Sequence, residues 1–267
     1  MWINCIENWH SLWYYERMER YKIVIQYDGS NFCGFQVQPE KRTVQGELEK
    51  TLSFLLQEDV KIYASGRTDA GVSAEAQVAH FDTEKEFAER KMLSSINALL
   101  PSDVAVTSLE QVSMGFDARF SAKKKTYQYR FYVSKYELPL YSKIALRVND
   151  YIDVSKMQEA TKYIVGTHDF RSFVARKSGK TDFVRTVYDA KIIKIDDTLF
   201  AFEITGNGFL YNMVRILFGT LLMIGYGQRK PEDMKKIIEA KDRAMAGKTM
   251  SAHALLLKKV EYDTEKI

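Results

Sequence analysis

The sequence predicts an α+β fold: two ferredoxin-like (RRM-like) α/β units with antiparallel sheets, flanking a central cleft. Three observations predict it. Over residues 21–109, segments of strand and helix period follow one another as βαββαβ. A variation on the same plan follows in the second half. No Pro/Gly/Ser-rich linker or low-complexity tract separates the halves, so they are expected to share a sheet or a deep cleft. The expected division is an N-terminal extension over 1–17, a first unit over 18–112 and a second over 113–267.

Residues 21–27 read YKIVIQY, β-branched and aromatic, as a strand that Asp28-Gly29-Ser30 turns. Thr43 caps a helix over 44–56 with Val44, Leu48, Leu52, Leu55 and Leu56 on one apolar stripe. Strands follow over 60–64 and 77–81, with a polar, glycine-bearing loop over 65–73 between them. A helix over 90–100 stops at Pro101, and a strand over 104–109 closes the unit. In the second half a strand over 126–133 precedes a helix over 154–165, with Met157, Ala160 and Ile164 on one side. Strands over 183–195 and 199–205 flank the Asp196-Asp197 turn. A long, mostly apolar helix over 209–224, a shorter one over 231–240 and a strand over 255–262 complete the chain.

Of the 267 residues, 46% are apolar, enough for a sizeable core, so a mainly disordered chain is excluded. The longest apolar runs, 216–218 and 221–224, are far too short for a bilayer, so no membrane partner is expected. Cys5 and Cys33 are the only cysteines, which excludes a disulfide framework and a cysteine-rich zinc site and suits a reducing, cytoplasmic compartment. His10, His80, His168 and His253 lack close metal-binding spacing, and Gly206-x-Gly208 lacks the third glycine of a dinucleotide fingerprint. The net charge of +4 fits a polyanionic partner without requiring one. Trp2, Trp9 and Trp13 all lie in the first segment, which reads either as an appended tail, with Met18 the natural start, or as a docking aromatic arm.

Ser65-Gly66-Arg67-Thr68-Asp69-Ala70-Gly71-Val72-Ser73 gathers two glycines, a cation, hydroxyls and a carboxylate behind a strand end. Two readings stand for it. Asp69, with Arg67 two residues away, is an ionised nucleophile; or Asp69 caps nearby amides in a turn and Gly71 supplies a positive φ.

The stretch SGRTDAGVSAEAQVAHF resembles the signature of the tRNA pseudouridine synthase A (TruA) family, GRTDAGVHA followed by QVVHF. Other blocks follow in order. Tyr27-Asp28-Gly29 and Gly34-Phe35-Gln36 look like YDG and GWQ, and Thr43-Val44-Gln45 matches the helix start. Phe116 to Ala122 with Lys125 and Tyr127 looks like FHARFSA and its K/R-x-Y. His168-Asp169-Phe170, Arg185-Thr186-Val187 and Asn212-Met213-Val214-Arg215 match later blocks, the last against HMVRNIVG. The resemblance spans about residues 20–262. Two departures are Ser73 for the usual His, and 254–257 for the usual Gly-Leu-Tyr-Leu.

The resemblance implies isomerisation of uridine to pseudouridine at positions 38, 39 and 40 of the tRNA anticodon stem-loop, by a homodimer without cofactor or metal. It implies Asp69 as the catalytic carboxylate, attacking C1′ or C6, Tyr127 packed on the flipped base and a candidate for proton removal at C5, and Arg215 paired with that carboxylate. Arg67 is expected to grip the nucleotide's phosphate or the carboxylate. An arginine in so apolar a helix also calls for a buried carboxylate partner on its own account. Two basic clusters suit RNA: Arg119, Lys123, Lys124, Lys125 and Arg130 among Phe120, Tyr127 and Tyr129; and Arg171, Arg176, Lys177 and Lys180. The competing readings are a non-catalytic RNA-binding protein, a paralogue of narrowed tRNA range, and a hydrolase pairing Asp69 with Asp82.

Overall fold

The computed structural model describes residues 18–175 and 182–263. The tryptophan-bearing extension lies outside the described residues, as do Arg176, Lys177 and Lys180. Strands β1 (Glu19–Tyr27), β2 (Tyr63–Ala64), β3 (Ser73–Thr83) and β4 (Val104–Val112) form the first half with helices α1 (Val44–Leu56) and α2 (Glu89–Leu99). The second half holds β5 (Ala122–Val133), β6 (Leu146–Val148), β7 (Gly166–Asp169), β8 (Val184–Lys194), β9 (Leu199–Gly206) and β10 (Leu255–Tyr262). Its helices are α3 (Val154–Thr161), α4 (Met213–Gly225) and α5 (Asp233–Ala240).

The architecture is α+β, and the halves share one sheet, the first of the two arrangements expected, though it is not purely antiparallel. The strand order is β4-β1-β3-β10-β5-β9-β8-β7, with β2 added beside β3 and β6 beside β5. The join is a short parallel pairing, Leu256 with Ser73 and Leu257 with Ala74. The sheet is therefore mixed. One transverse row runs Tyr27, Ala74, Leu257, Tyr127, Ile204 across five strands. It brings the start of β3, just after the 65–72 loop, within two strands of Tyr127.

Each half has its own core, one built on β1, β3, β4, α1 and α2, the other on β5, β8, β9, α3 and α4. Tyr127 packs against both. Helix α4 is apolar nearly all round, and only Arg215 and Met223 in it are not buried, as expected of a helix enclosed by sheet and loops. Phe218 stacks on Tyr129 of β5 at 4.2 Å between ring centroids.

Several boundaries differ from expectation, β3 and β5 each starting four residues early, and others for local reasons. The strand expected over 60–64 shrinks to Tyr63–Ala64 because α1 side chains capture its backbone. Ser53 Oγ accepts from Val60 N (3.0 Å), Glu49 Oε1 accepts from Ile62 N (3.0 Å), and Gln45 Nε2 donates to Ile62 O (3.2 Å). Helix α4 starts at Met213 rather than 209, because Asn212 sits at φ 61°, outside helical space. Helix α3 ends at Thr161 before a turn into Gly166, and β6 and β7 are too short to show a period.

The chain crossing over α4 is seated by glycine. A Cβ at Gly219 would lie 2.1 Å from the Lys248 carbonyl oxygen, and one at Gly247 would strike the Gly219 carbonyl. Helix propensity alone would favour Gly219→Ala by up to ~1 kcal/mol. The clash with backbone outweighs it, since overpacking costs about 1–3 kcal/mol. The variant is expected to melt lower than wild type by thermal denaturation.

Candidate active site

A cleft of about 1080 Å³ opens between the halves, lined from the first by Ser65 to Asp69 and from the second by Tyr127, Arg185 and residues 207–214. The 65–72 loop is clamped before any ligand arrives. Val78 O accepts from Ser65 N (2.7 Å), Gln77 Nε2 donates to Gly66 O (3.0 Å), and Lys125 Nζ donates to Ser65 O. Thr68 is buried against the Tyr27 hydroxyl at 2.8 Å, and its carbonyl accepts from Phe35 N (3.1 Å). The Tyr27-Asp28-Gly29 turn lies directly beneath: a Cβ on Gly29 would sit 2.2 Å from the Val72 carbonyl oxygen. Ser73 Oγ accepts from Gly29 N at 3.0 Å, so the departure at residue 73 has a structural task in tying that turn to β3. Gly71 takes φ 79°, as its place in the turn requires.

This scaffold presents Asp69 half-buried, its side chain 32% exposed, facing α4. Arg215 Nη1 donates to Asp69 Oδ2 at 3.3 Å. The expected partner for the buried arginine is thus the carboxylate of the opposite half. Arg215, 17% exposed, is itself pinned: Nη1 also donates to Asn212 Oδ1 (2.6 Å) and Nε to Met250 O (2.6 Å). Burial raises the Asp69 pKa above the ordinary carboxylate value, and the Arg215 charge pulls against that rise without cancelling it. Among the described residues the Asp69 carboxylate caps no backbone amide and is held by Arg215.

Tyr127 stands over the cleft with Phe209 edge-on at 5.2 Å. Burial drives its phenol well above the usual value, helped by Tyr27 and by the Asp69 charge. Arg67 is exposed on the cleft wall, and among the described residues Arg215, not Arg67, is the cation on Asp69. Asp82 does not join Asp69. It holds Arg20 by two hydrogen bonds of 2.6 and 2.7 Å and does not line the cleft, which removes the Asp69–Asp82 pairing.

The first basic cluster divides. Arg119 and Lys125 line the cleft, Lys123 pairs with Asp263 (2.8 Å) and Lys124 lies over Tyr188. Arg130 alternates with Tyr127 and Tyr129 along β5, so it belongs to the other face of the sheet, with Gln128. Of the second cluster, Arg171 bears on Phe183 and Asp169. Asn212, Met250 and Phe209 were not foreseen as site residues.

A family model described as tRNA pseudouridine synthase matches residues 23–121 and 160–263, which include Arg67, Asp69 and Arg215 but not Tyr127. The chain is 47% identical over 247 residues to tRNA pseudouridine synthase A of Anoxybacillus flavithermus, covering 92% of this chain and 100% of that one. The chain belongs to the tRNA pseudouridine synthase family. It is also 48% identical over 246 residues to tRNA pseudouridine synthase A of Bacillus velezensis, covering 91% of this chain and 99% of the relative. Against the enzyme of the same name from Bacillus subtilis the figures are 47%, 246 residues, 91% and 99%. As a tRNA pseudouridine synthase by family, the chain is an isomerase, and the cleft is the place to look for its chemistry. No helix among the described residues is long and apolar enough to cross a membrane.

Proposed function

We propose that this tRNA pseudouridine synthase isomerises uridine at positions 38, 39 and 40 of the anticodon stem-loop, with Asp69 as nucleophile. One observation carries the assignment of Asp69: its carboxylate, presented by a clamped loop, is held by an arginine pinned from the opposite half; positions 38, 39 and 40 rest on the resemblance. The reaction breaks the bond from N1 to C1′, turns the base and joins C5 to C1′; the C5 proton leaves, N1 gains a proton, and the carboxylate is released unchanged. It needs an ionised carboxylate to attack C1′ or C6 and a surface to hold the detached base. Arg215 supports the ionised form of Asp69 against burial. The Tyr127 ring offers the base a stacking face, and its hydroxyl is the candidate acceptor for the C5 proton. Arg67, Arg119 and Arg185 on the walls suit the phosphates of an extruded nucleotide.

Two finer readings belong with this one. The strand sequences β4-β1-β3-β2 and β10-β5-β9-β8 each support a ferredoxin-like unit, divided near residue 112. Cytoplasmic action as a homodimer follows from the resemblance. The test is to map pseudouridine in total tRNA from cells with and without the gene. Loss confined to positions 38–40 is expected; unchanged anticodon arms would defeat the reading.

A further inference from the structure

Phe120 is 80% exposed and belongs to neither hydrophobic core, yet it stands on a heavily tied loop. Asp117 Oδ1 accepts from the amides of Arg119 (2.7 Å) and Phe120 (2.8 Å). Ala118 is fully buried; its amide donates to His80 Nδ1 (3.1 Å) and its carbonyl accepts from the Tyr262 hydroxyl (2.7 Å). Arg20 Nη1 donates to the carbonyls of Met114 (3.0 Å) and Phe116 (2.7 Å) while its other nitrogens hold Asp82. The ring raised on this base lines the same cleft as Asp69 and Tyr127. The Arg119 guanidinium lies 5.3 Å from its centroid.

A bare phenylalanine gains nothing from water, so a rigid base that keeps it in a polar cleft points to a ligand with an aromatic face. The cations beside it fit a polyanion. Extruding a uridine leaves its neighbour in the strand without a stacking partner, at an energetic cost that a protein ring can offset. We propose that Phe120 stacks on the base adjoining the extruded uridine, with Arg119 drawn toward the neighbouring phosphate. This rests on the proposed reaction at Asp69, and it adds a residue that holds the RNA open rather than one that touches the reacting atoms.

The test measures binding of Phe120→Ala, Phe120→Leu and Phe120→Trp to an anticodon stem-loop RNA, intact or abasic at the nucleotide next to the target. On intact RNA, Phe120→Ala is expected to bind about 5- to 150-fold more weakly, Phe120→Leu similarly, and Phe120→Trp close to wild type. On abasic RNA the difference between wild type and Phe120→Ala should vanish, a result a merely structural role would not give. All variants should melt with wild type, since the ring is exposed. Equal binding by Phe120→Ala and wild type, full rescue by leucine, or a loss unchanged on abasic RNA would each overturn the proposal. Absence of pseudouridine in a wild-type reaction would instead count against the reaction at Asp69, because the stacking cycle is read from binding alone.

Discussion

Asp69→Asn is expected to lower pseudouridine formation by about 10⁴-fold or more, while binding of the tRNA stays within a few-fold of wild type. The amide keeps the shape of the carboxylate and loses the charge that attacks. The binding walls, which include Arg67, Arg119 and Arg185, are untouched. Stability separates this from a folding defect. The folded-state pKa of Asp69 is raised by burial, so the folded protein holds the Asp69 proton more tightly than the unfolded chain does. For a raised carboxylate the contribution to stability is present at low pH and is lost as pH rises through the folded pKa. At neutral pH the ionised group therefore opposes folding, and the variant is expected to melt at or above the wild-type temperature. Gel-shift affinity, product analysis and thermal denaturation check the three statements together.

Arg215→Met carries the second large effect, a loss on the order of 10²-fold in kcat/KM at neutral pH. The shorter, unbranched apolar side chain suits a helix that is otherwise mostly buried. It removes the cation that holds Asp69 among the described residues, so burial is less opposed and the carboxylate pKa rises further. Activity requires the ionised form, so the acid limb of the kcat/KM profile moves to higher pH. The variant then loses more activity near pH 6 than near pH 8. A profile parallel to wild type would show that Arg215 acts on the site by some route other than the charge on Asp69.

Much of this was legible in the sequence because it was local or periodic. The apolar stripe of α1 and the closing strand β10 fall where their side-chain period places them. The lone arginine of α4 implied a carboxylate partner on desolvation grounds, and the partner is Asp69. The charge neighbour nearest in sequence, Arg67, is not that partner, because the turn at Gly71 and the burial of Thr68 set the directions of adjacent side chains independently. Position along a loop does not say which way a side chain faces. A shared sheet was expected only as an alternative to a deep cleft, and its join was out of reach. It depends on two residue pairs between β3 and β10, strands far apart in the chain, and no period records such a register. The same holds for Asn212 and Met250, which hold Arg215 only because a positive φ at one and the crossing over Gly219 at the other bring them there.

The most direct measurement is nucleotide-resolution detection of pseudouridine in an unmodified tRNA transcript after a single turnover with excess protein, wild type beside Asp69→Asn. The expected result is pseudouridine at positions 38–40 with the wild type and none with the variant, both proteins bound to the RNA. Pseudouridine elsewhere alone, or equal product from the two proteins, would contradict the assignment of the cleft and of Asp69.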